Sequence, residues 1–309
     1  MKYLITGGAG FIGNAVARFV GKLGHQVVVL DDFSTGREEN LADFDGELRV
    51  ERGCITDAAT VDRCAAGADG IFHLAAVASV QKSLTDPVGC HEINVTGTLN
   101  ILEAARKKKV PRVVFSSSAA IYGDTDRIPL DEFEPPQPIS PYGLHKAIAE
   151  QYGRLYTQSG WTDVVTLRYF NVFGPRQDPN GDYAAVVPKF IAALLAEESP
   201  RIYGDGLQSR DFLFVGDVAH ANFLAMTGDG IPGQVMNVCS GQETNLLDLL
   251  EAMNDAAGLW QKPELHPPRK GDIRRSVGLP DRARKLLGLP TARPLPDAMK
   301  ETIDWYQKL

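Results

Sequence analysis

The sequence has few cysteines, and their spacing excludes several kinds of site. Four occur among 309 residues, namely Cys54, Cys64, Cys90 and Cys239. They form no CxxC motif and no cluster with histidine, so we expect neither a metal site nor a disulfide framework. This cysteine usage is typical of a reducing compartment, and we expect a cytoplasmic protein.

Long apolar runs and excess positive charge are also lacking. No hydrophobic stretch approaches the length of a membrane span, and the apolar start is too short for a signal peptide. The formal net charge of −7 argues against a general nucleic-acid-binding protein, but not against a small ligand that carries phosphate. We therefore expect neither a membrane nor a nucleic acid as a partner.

The N-terminus has the pattern of a mononucleotide-binding unit. Residues 3–6 form an apolar strand, a glycine-rich turn follows, a helical pattern runs to Leu23, and residues 26–30 form a second strand. A strand, turn, helix and strand within about 30 residues is characteristic of the Rossmann fold. Near-continuous apolar strands favour a parallel sheet that helices cover on both faces.

The glycines of this turn are spaced GxxGxxG. Gly7 makes the tight turn, Gly10 lets the backbone reach a diphosphate, and Gly13 allows close helix packing. Asp31 follows Gly13 by 18 residues, where a carboxylate can accept hydrogen bonds from ribose hydroxyls. This favours NAD over NADP, although Arg37 nearby leaves the cofactor type open. The alternative is an aspartate that merely caps a turn.

Strand and helix patterns alternate along the rest of the chain. Further strands are predicted at 48–51, 70–76, 112–116, 163–169, 212–215 and 235–238, and a strand and turn at 201–206. Further helices are predicted at 94–106, 142–156, 186–195, 218–226, 246–257 and 297–307. We predict an α/β fold, with a doubly wound parallel sheet and a smaller C-terminal α/β domain that binds substrate. The first domain would span 1–170 with a returning segment at about 213–240, and the second 171–212 and 241–309.

Tyr142 and Lys146 stand four residues apart in a predicted helix, so their side chains share one face. A lysine ammonium there can lower the pKa of the tyrosine from its ordinary value of about 10 toward working pH. Tyr142 then becomes an acid and base for a carbinol proton. By itself, such a pair on a helix is more often solvent-exposed and without a catalytic role. However, the serines at 116–118 end a predicted strand at the edge where open parallel sheets bind ligands.

Several motifs together point to one family. In chain order they are GGAGFIG (7–13), Asp31, HLAA (73–76), NVTGT (94–98), SSSAAIYG (116–123), SPYGLHK (140–146), LRYFNVFGPRQ (167–177), SRDFLFVGDVAHA (209–221) and RKGDIRRS (269–276). The sequence resembles the extended short-chain dehydrogenase/reductases that act on nucleotide sugars. Within them it is most similar to the UDP-hexose 4-epimerases, over nearly the whole chain.

The resemblance implies an isomerase that epimerises C4 of a UDP-hexose or UDP-N-acetylhexosamine through a 4-keto sugar, with NAD as cofactor. Tyr142 would take the 4-hydroxyl proton, Ser118 would bond the same oxygen, and Lys146 would bond the nicotinamide ribose. The implied cofactor-binding residues are Gly7, Gly10, Phe11, Ile12, Asp31, Asp32, Ile55, Leu74, Ala75, Ala76, Ser116, Tyr142, Lys146 and Tyr169.

The resemblance also implies a substrate site in the C-terminal part. Its residues would be Ser118, Asn171, Val187, Tyr203, Arg210, Arg269, Asp272 and Ser276. The arginines suit bidentate contact with a diphosphate. Ser276 stands where strict UDP-glucose epimerases have a bulky tyrosine, so we expect UDP-GlcNAc and UDP-GalNAc to be accepted.

Other functions are left open. Sugar-nucleotide 4,6-dehydratases carry an Asp-Glu pair where this chain has Ala119 and Ala120, which makes that activity unexpected. A nucleotide-sugar reductase, a UDP-uronate 4-epimerase and a non-catalytic NAD-binding regulator remain alternatives. The family also implies a homodimer and a place in polysaccharide biosynthesis. One departure is Cys54, which replaces the aspartate that usually contacts adenine.

Overall fold

The computed structural model of the chain describes residues 1–179, 185–268 and 273–308. The strands in this range are β1 Lys2–Thr6, β2 Gln26–Asp31, β3 Leu48–Arg52, β4 Gly70–His73, β5 Arg112–Ser118, β6 Asp163–Tyr169, β7 Asn171–Phe173, β8 Arg201–Tyr203, β9 Ser209–Arg210, β10 Phe212–Phe214, β11 Val235–Val238, β12 Thr244–Asn245, β13 Glu264–His266 and β14 Arg275–Ser276. The helices are α1 Phe11–Lys22, α2 Ala58–Ala65, α3 Val80–Thr85, α4 Pro87–His91, α5 Thr98–Lys108, α6 Pro141–Gln158, α7 Val186–Leu195, α8 Val215–Thr227, α9 Leu246–Ala257, α10 Asp281–Leu287 and α11 Leu295–Tyr306.

Seven strands form one parallel sheet, which confirms the predicted doubly wound fold. Their order is β11-β6-β5-β4-β1-β2-β3. From β1 the chain adds strands on one side of the sheet, and from β4 it adds them on the other side. Open α/β sheets bind ligands at the point where the strand order reverses in this way. Thr6 of β1 is in register with Leu30 of β2 and His73 of β4. The glycine turn, Asp31 and Leu74 therefore meet at one edge of the sheet.

Alternate strand residues supply a core on each face of the sheet. Tyr3 and Ile5 of β1 join the core that includes residues of α1 and α8, whereas Leu4 joins the core shared with α2, α5 and α6. All three side chains are at most 1% exposed. Burial on both faces explains why these strands are apolar without alternation.

A third core lies in the C-terminal part of the chain. It contains Phe190 of α7, Leu250 of α9 and Ile303 of α11, packed with phenylalanines of β7 and β10. Three small sheets accompany it in the orders β10-β7, β12-β9-β14 and β13-β8. The strand β11 returns to the central sheet beside β6. The predicted domain boundaries stay a prediction.

Two predicted elements differ from those in the structure. The strand expected at 70–76 ends at His73, in register with Thr6, the last residue of β1. The helix expected at 94–106 begins instead with a π-helical turn at Glu92–Gly97 before α5. A π-turn contains one more residue than an α-turn, and apolar periodicity does not reveal it.

The described residues contain neither a membrane-spanning helix nor a cluster of metal-binding side chains. None of the helices in residues 1–179, 185–268 and 273–308 is long and apolar enough to cross a membrane. The same residues contain no group of three or more His, Cys, Asp or Glu side chains placed to hold a metal ion.

Candidate active site

A cleft of about 450 Å³ opens at the carboxyl ends of β1, β4 and β5. The structure brings all fourteen residues of the predicted cofactor set to its wall, and Ser118 and Asn171 join them. Their roles stay predictions, but their convergence on one cleft is a property of the fold. The wall also includes Val77, Ala78 and Gln177, which the sequence analysis did not single out.

The glycine turn packs against both α1 and the loop after β4. Gly7 has φ +71°, and a β-carbon on it would lie 2.7 Å from the Ala75 backbone nitrogen. A β-carbon on Gly13 would lie 2.0 Å from the Gly7 carbonyl oxygen. Helix α1 starts at Phe11, directly after Gly10. Its first backbone N–H groups and its dipole can bind a diphosphate at this wall.

The Asp31 carboxylate is held by the backbone at the far end of the cleft. Its oxygens accept hydrogen bonds from the Ala9 amide at 2.9 Å and the Phe33 amide at 2.8 Å. Burial raises the pKa of Asp31, and these backbone bonds oppose that rise. Arg37, the residue that left the cofactor type open, pairs with Asp178 at 2.6 Å.

The departure at Cys54 also lies at this wall. Cys54 and Ile55 both line the cleft, whereas the nearby Asp57 caps helix α2 by accepting from the Ala59 amide and the Thr60 hydroxyl. Asp57 is therefore committed to the helix start and does not replace the missing aspartate.

Helix α6 carries Tyr142 and Lys146 to the end of β5. The Ser140 hydroxyl caps the helix by accepting from the Gly143 amide at 3.2 Å, and Pro141 is the first helical residue, a position that suits proline. A β-carbon on Gly143 would lie 2.5 Å from the Ala120 carbonyl oxygen. This glycine therefore lets α6 approach the turn that follows Ser118, and the sequence analysis missed it.

The three predicted catalytic side chains meet there. The Ser118 hydroxyl lies near enough to the Tyr142 phenol to favour its ionised form and so to lower its pKa. The Lys146 Nζ donates to the Ser116 carbonyl oxygen at 2.6 Å and lies 5.9 Å from the Tyr142 ring centroid. Tyr142 is 8% exposed and Lys146 4%, so both ionisable groups sit at the inner wall of the cleft.

The electrostatics of this pair differ from the expectation. Burial raises the pKa of Tyr142, and the nearby Ser118 hydroxyl only partly opposes that rise. Burial also lowers the pKa of Lys146 to about 8. The predicted lowering of the Tyr142 pKa is therefore not observed, because desolvation of the buried phenol is the largest influence on it.

The predicted substrate residues lie in different parts of the structure. Asn171 lines the cleft, while Val187 is 2% exposed and packs in the third core. Arg210 of β9 and Ser276 of β14 are register partners, and the Tyr203 ring of β8 stacks near that of His266, at 5.4 Å between centroids. Arg269 and Asp272 lie outside the described residues.

Asp211, next to Arg210, organises this region and was missed. Its buried carboxylate accepts hydrogen bonds from the Ser240 amide and hydroxyl and from the amides of Gly241 and Gly278. It thereby ties the junction of β9 and β10 to the segment after Ser276. In the sequence, Asp211 is one acidic residue in SRDF, and nothing local marks it as buried.

The fold and this cleft define a class of protein. A glycine turn at the point where the sheet order reverses, and a Tyr-x-x-x-Lys helix against a serine-ended strand, characterise a dinucleotide-dependent enzyme of the short-chain dehydrogenase/reductase type. The fourteen convergent residues fit a dinucleotide, since they supply a helix N-terminus for a diphosphate and a carboxylate for a ribose.

Comparison with known proteins identifies the family. Residues 3–239 match the NAD dependent epimerase/dehydratase family, and the chain belongs to it. The chain is 40% identical to a UDP-glucose 4-epimerase of Mycolicibacterium smegmatis, over 99% of both chains. The predicted family and NAD as its cofactor are confirmed.

Two solved structures are similar along their whole length. A UDP-N-acetylglucosamine 4-epimerase from Methanobrevibacter ruminantium, in complex with UDP-N-acetylmuramic acid, superposes with a TM-score of 0.95 at 36% identity, covering 99% of this chain and 98% of that one. A UDP-glucose 4-epimerase from Thermus thermophilus, in complex with NAD, has a TM-score of 0.90 at 36% identity, with 99% of both chains covered.

Proposed function

We propose that this protein interconverts a UDP-hexose or UDP-N-acetylhexosamine and its C4 epimer through a 4-keto sugar, with NAD that stays bound. The observation that carries the proposal is the meeting of Ser118, Tyr142 and Lys146 on one wall of the cleft. The relatives named above support a 4-epimerase over a reductase, a uronate epimerase or a regulator. Ala119 and Ala120 offer no acid or base for a dehydratase.

The reaction needs a proton acceptor beside a hydride acceptor. Bound NAD supplies the second, taking the C4 hydrogen as hydride and returning it to the opposite face of the 4-keto sugar. Tyr142 takes the proton of the 4-hydroxyl as the C4–H bond breaks, and gives it back when the hydride returns. Ser118, whose hydroxyl lies near the phenol, donates to the sugar oxygen and keeps it in line with Tyr142.

Lys146 would have two roles, one in binding the cofactor and one in promoting ionisation of the base, Tyr142. Its ammonium lies next to Tyr142 on the cleft wall, where it can bond a ribose hydroxyl and favour the phenolate. Because burial of Tyr142 raises its pKa, the phenolate needs every nearby positive charge, including that of an oxidised nicotinamide. The base is therefore expected to be fully active only with cofactor in place.

The other cofactor and substrate roles are those that the family resemblance implies. Gly7, Gly10 and the start of α1 would bind the diphosphate of NAD, and Asp31 the adenosine ribose. Asn171, Arg210 and Arg269 would bind the diphosphate of the UDP-sugar, Asp272 its ribose and Tyr203 its uracil, with Val187 nearby. The register pairing of Ser276 with Arg210 supports placing the small residue beside the sugar.

The sugar, assembly and setting are parts of the same proposal. We propose that the 2-acetamido sugars are accepted, because Ser276 leaves room for that group, and that the product enters polysaccharide biosynthesis. Exposed Leu144 and Leu155 of α6 support a homodimer through α5 and α6, although Leu99 and Tyr152 of these helices pack against the core. All four cysteines are free thiols, which supports a cytoplasmic setting.

Incubation without added cofactor tests the proposal. The purified protein is mixed separately with UDP-GlcNAc and UDP-glucose, and the products are resolved by chromatography. Conversion of either sugar to its C4 epimer is the expected result, and the ratio of the rates identifies the preferred sugar. If neither sugar is converted even after NAD is supplied, the epimerase proposal is wrong.

A further inference from the structure

Helix α6 presents a third polar side chain in line with Tyr142 and Lys146. Glu150 follows Lys146 by four residues, so the three side chains lie on one face, one turn apart. Lys146 bonds the Ser116 carbonyl oxygen, and the carboxylate of Glu150 accepts a hydrogen bond from the Ser117 hydroxyl. Two successive turns of α6 therefore form hydrogen bonds with two neighbouring residues at the end of β5, Ser116 and Ser117.

Glu150 is a buried carboxylate with a buried counter-charge. Its side chain and that of Arg168 on β6 are each 5% exposed. The guanidinium Nε and Nη2 donate to the two carboxylate oxygens at 3.0 and 2.8 Å, and Nη1 donates to the Tyr122 hydroxyl at 2.9 Å. Bidentate pairing of this kind fixes the geometry of the carboxylate and places it against a permanent positive charge.

We propose that Glu150 is a positioning residue for the reaction, which keeps Lys146 protonated and holds the serine end of β5 against α6. It acts through Lys146 and Ser117 and does not itself contact the sugar. The inference rests on the proposed function, since it adds a member to the same site.

The described charges around Lys146 give Glu150 this role. Burial is the main influence on Lys146 and lowers its pKa to about 8, while the negative charge of Glu150 opposes that lowering. His73 faces Lys146 from β4 but is neutral, because burial lowers its own pKa to about 3. Tyr142 adjoins from α6, and Arg168 of β6 pairs with the carboxylate. Removing the Glu150 charge leaves burial unopposed, so Lys146 should lose its proton at lower pH.

Three variants separate charge from structure. Glu150→Gln keeps the shape and an acceptor for Ser117 but leaves Arg168 without its counter-charge, which costs stability. Glu150→Gln combined with Arg168→Met removes both charges and so avoids an unpaired buried cation. Ser117→Ala is the matched control, because it removes the hydroxyl and keeps both charges.

The measurement is the titration of Lys146 in the NAD-bound protein. Selective ¹³C-lysine labelling makes the residue visible by NMR, and Lys146→Met assigns its signal. We expect the midpoint to fall by about one pH unit or more in Glu150→Gln, the size of shift that a neighbouring opposite charge gives. In the double variant it should fall by less, because loss of the Arg168 cation offsets part of the loss of the Glu150 charge. The alkaline limb of the kcat profile should move to lower pH with it. In Ser117→Ala, neither the Lys146 midpoint nor the alkaline limb of the kcat profile should move.

This titration needs no turnover, so it stands apart from the test of the epimerase activity. Failure of the wild-type protein to convert UDP-sugars would overturn the proposed function while leaving the Lys146 midpoint measurable. A midpoint and an alkaline limb that match wild type in Glu150→Gln, with only thermal stability changed, would overturn the role of Glu150 and reduce its ion pair to a structural one.

Discussion

The Lys146 ammonium donates its 2.6 Å hydrogen bond to the Ser116 carbonyl oxygen and not to the Tyr142 phenol. The bond fixes Lys146 on the end of β5, 5.9 Å from the tyrosine ring centroid. Lysine can therefore favour the phenolate only through space, by its charge. Anything that changes the charge of Lys146 changes the base without altering the contacts of Tyr142.

Replacing Tyr142 tests the assignment of the base. Tyr142→Phe should lower kcat by about 10²-fold to 10⁴-fold, the usual contribution of a positioned acid or base. Tyr152→Phe on the same helix is the control and should turn over like wild type. Bound NAD and the thermal unfolding temperature are measured for each variant. More than about a tenth of the wild-type kcat in Tyr142→Phe would contradict the role.

Gly13 provides a test of the cofactor turn. Gly13→Ala places a β-carbon 2.0 Å from the Gly7 carbonyl oxygen, so the turn must shift and the purified protein should lose most of its bound NAD. Gly160→Ala is the control, since its β-carbon would meet nothing within 4 Å, although the residue has φ +65°. Backbone strain there should cost about 1 kcal/mol of stability and leave NAD content unchanged. Equal NAD content in the two variants would show that the turn tolerates the clash.

Ser276 is the predicted gate for the 2-acetamido group. Ser276→Tyr should abolish conversion of UDP-GlcNAc and spare that of UDP-galactose, because a bulky ring fills the room beside the sugar. Ser276→Ala keeps that room and should leave the ratio of the two rates near that of wild type. The rates on both sugars are measured with each variant. A similar loss on both sugars in Ser276→Tyr would disprove the gate.

His73 should make folding sensitive to acid. The Thr98 hydroxyl donates to the Asn94 carbonyl at 2.7 Å, so it accepts from His73 Nε2 at 2.9 Å, and His73 Nδ1 in turn accepts from the Thr6 hydroxyl at 2.8 Å. This chain of bonds requires a neutral ring. Burial lowers the pKa of His73 from 6.5 to about 3, so between these values the unfolded chain binds a proton that the folded protein does not.

The sign of the effect follows from that difference. The contribution of His73 to stability is essentially complete above pH 6.5 and is lost as pH falls toward 3. Between pH 7 and pH 5 the loss is about 2 kcal/mol. The free energy of unfolding is measured with urea at pH 7 and at pH 5, for wild type and for His73→Gln. The difference between the two proteins gives the contribution of His73, because the other groups contribute equally to both. An equal loss in the two proteins would mean that His73 is not the acid-sensitive group.

Much of the site could be predicted because its signals are local. The glycine spacing and the flanking strands specify the cofactor turn, and the bounds of β6, β11, α7 and α9 agree with those expected. Other features gave no such signal. Glu150, in the run KAIAEQ, has the composition of a solvated helix face, yet it is buried against Arg168.

The sequence by itself determined the strand–turn–helix unit, the shared face of Tyr142 and Lys146 and the family, since these depend on residues a few positions apart. The tertiary structure alone decided that the strand after Gly70 ends at His73, that Gly143 meets Ala120, and that Arg210 lies in register with Ser276. It also decided the balance of charge and burial at Tyr142. The physical reason is that strand length, close approach and desolvation are set by neighbours distant along the chain.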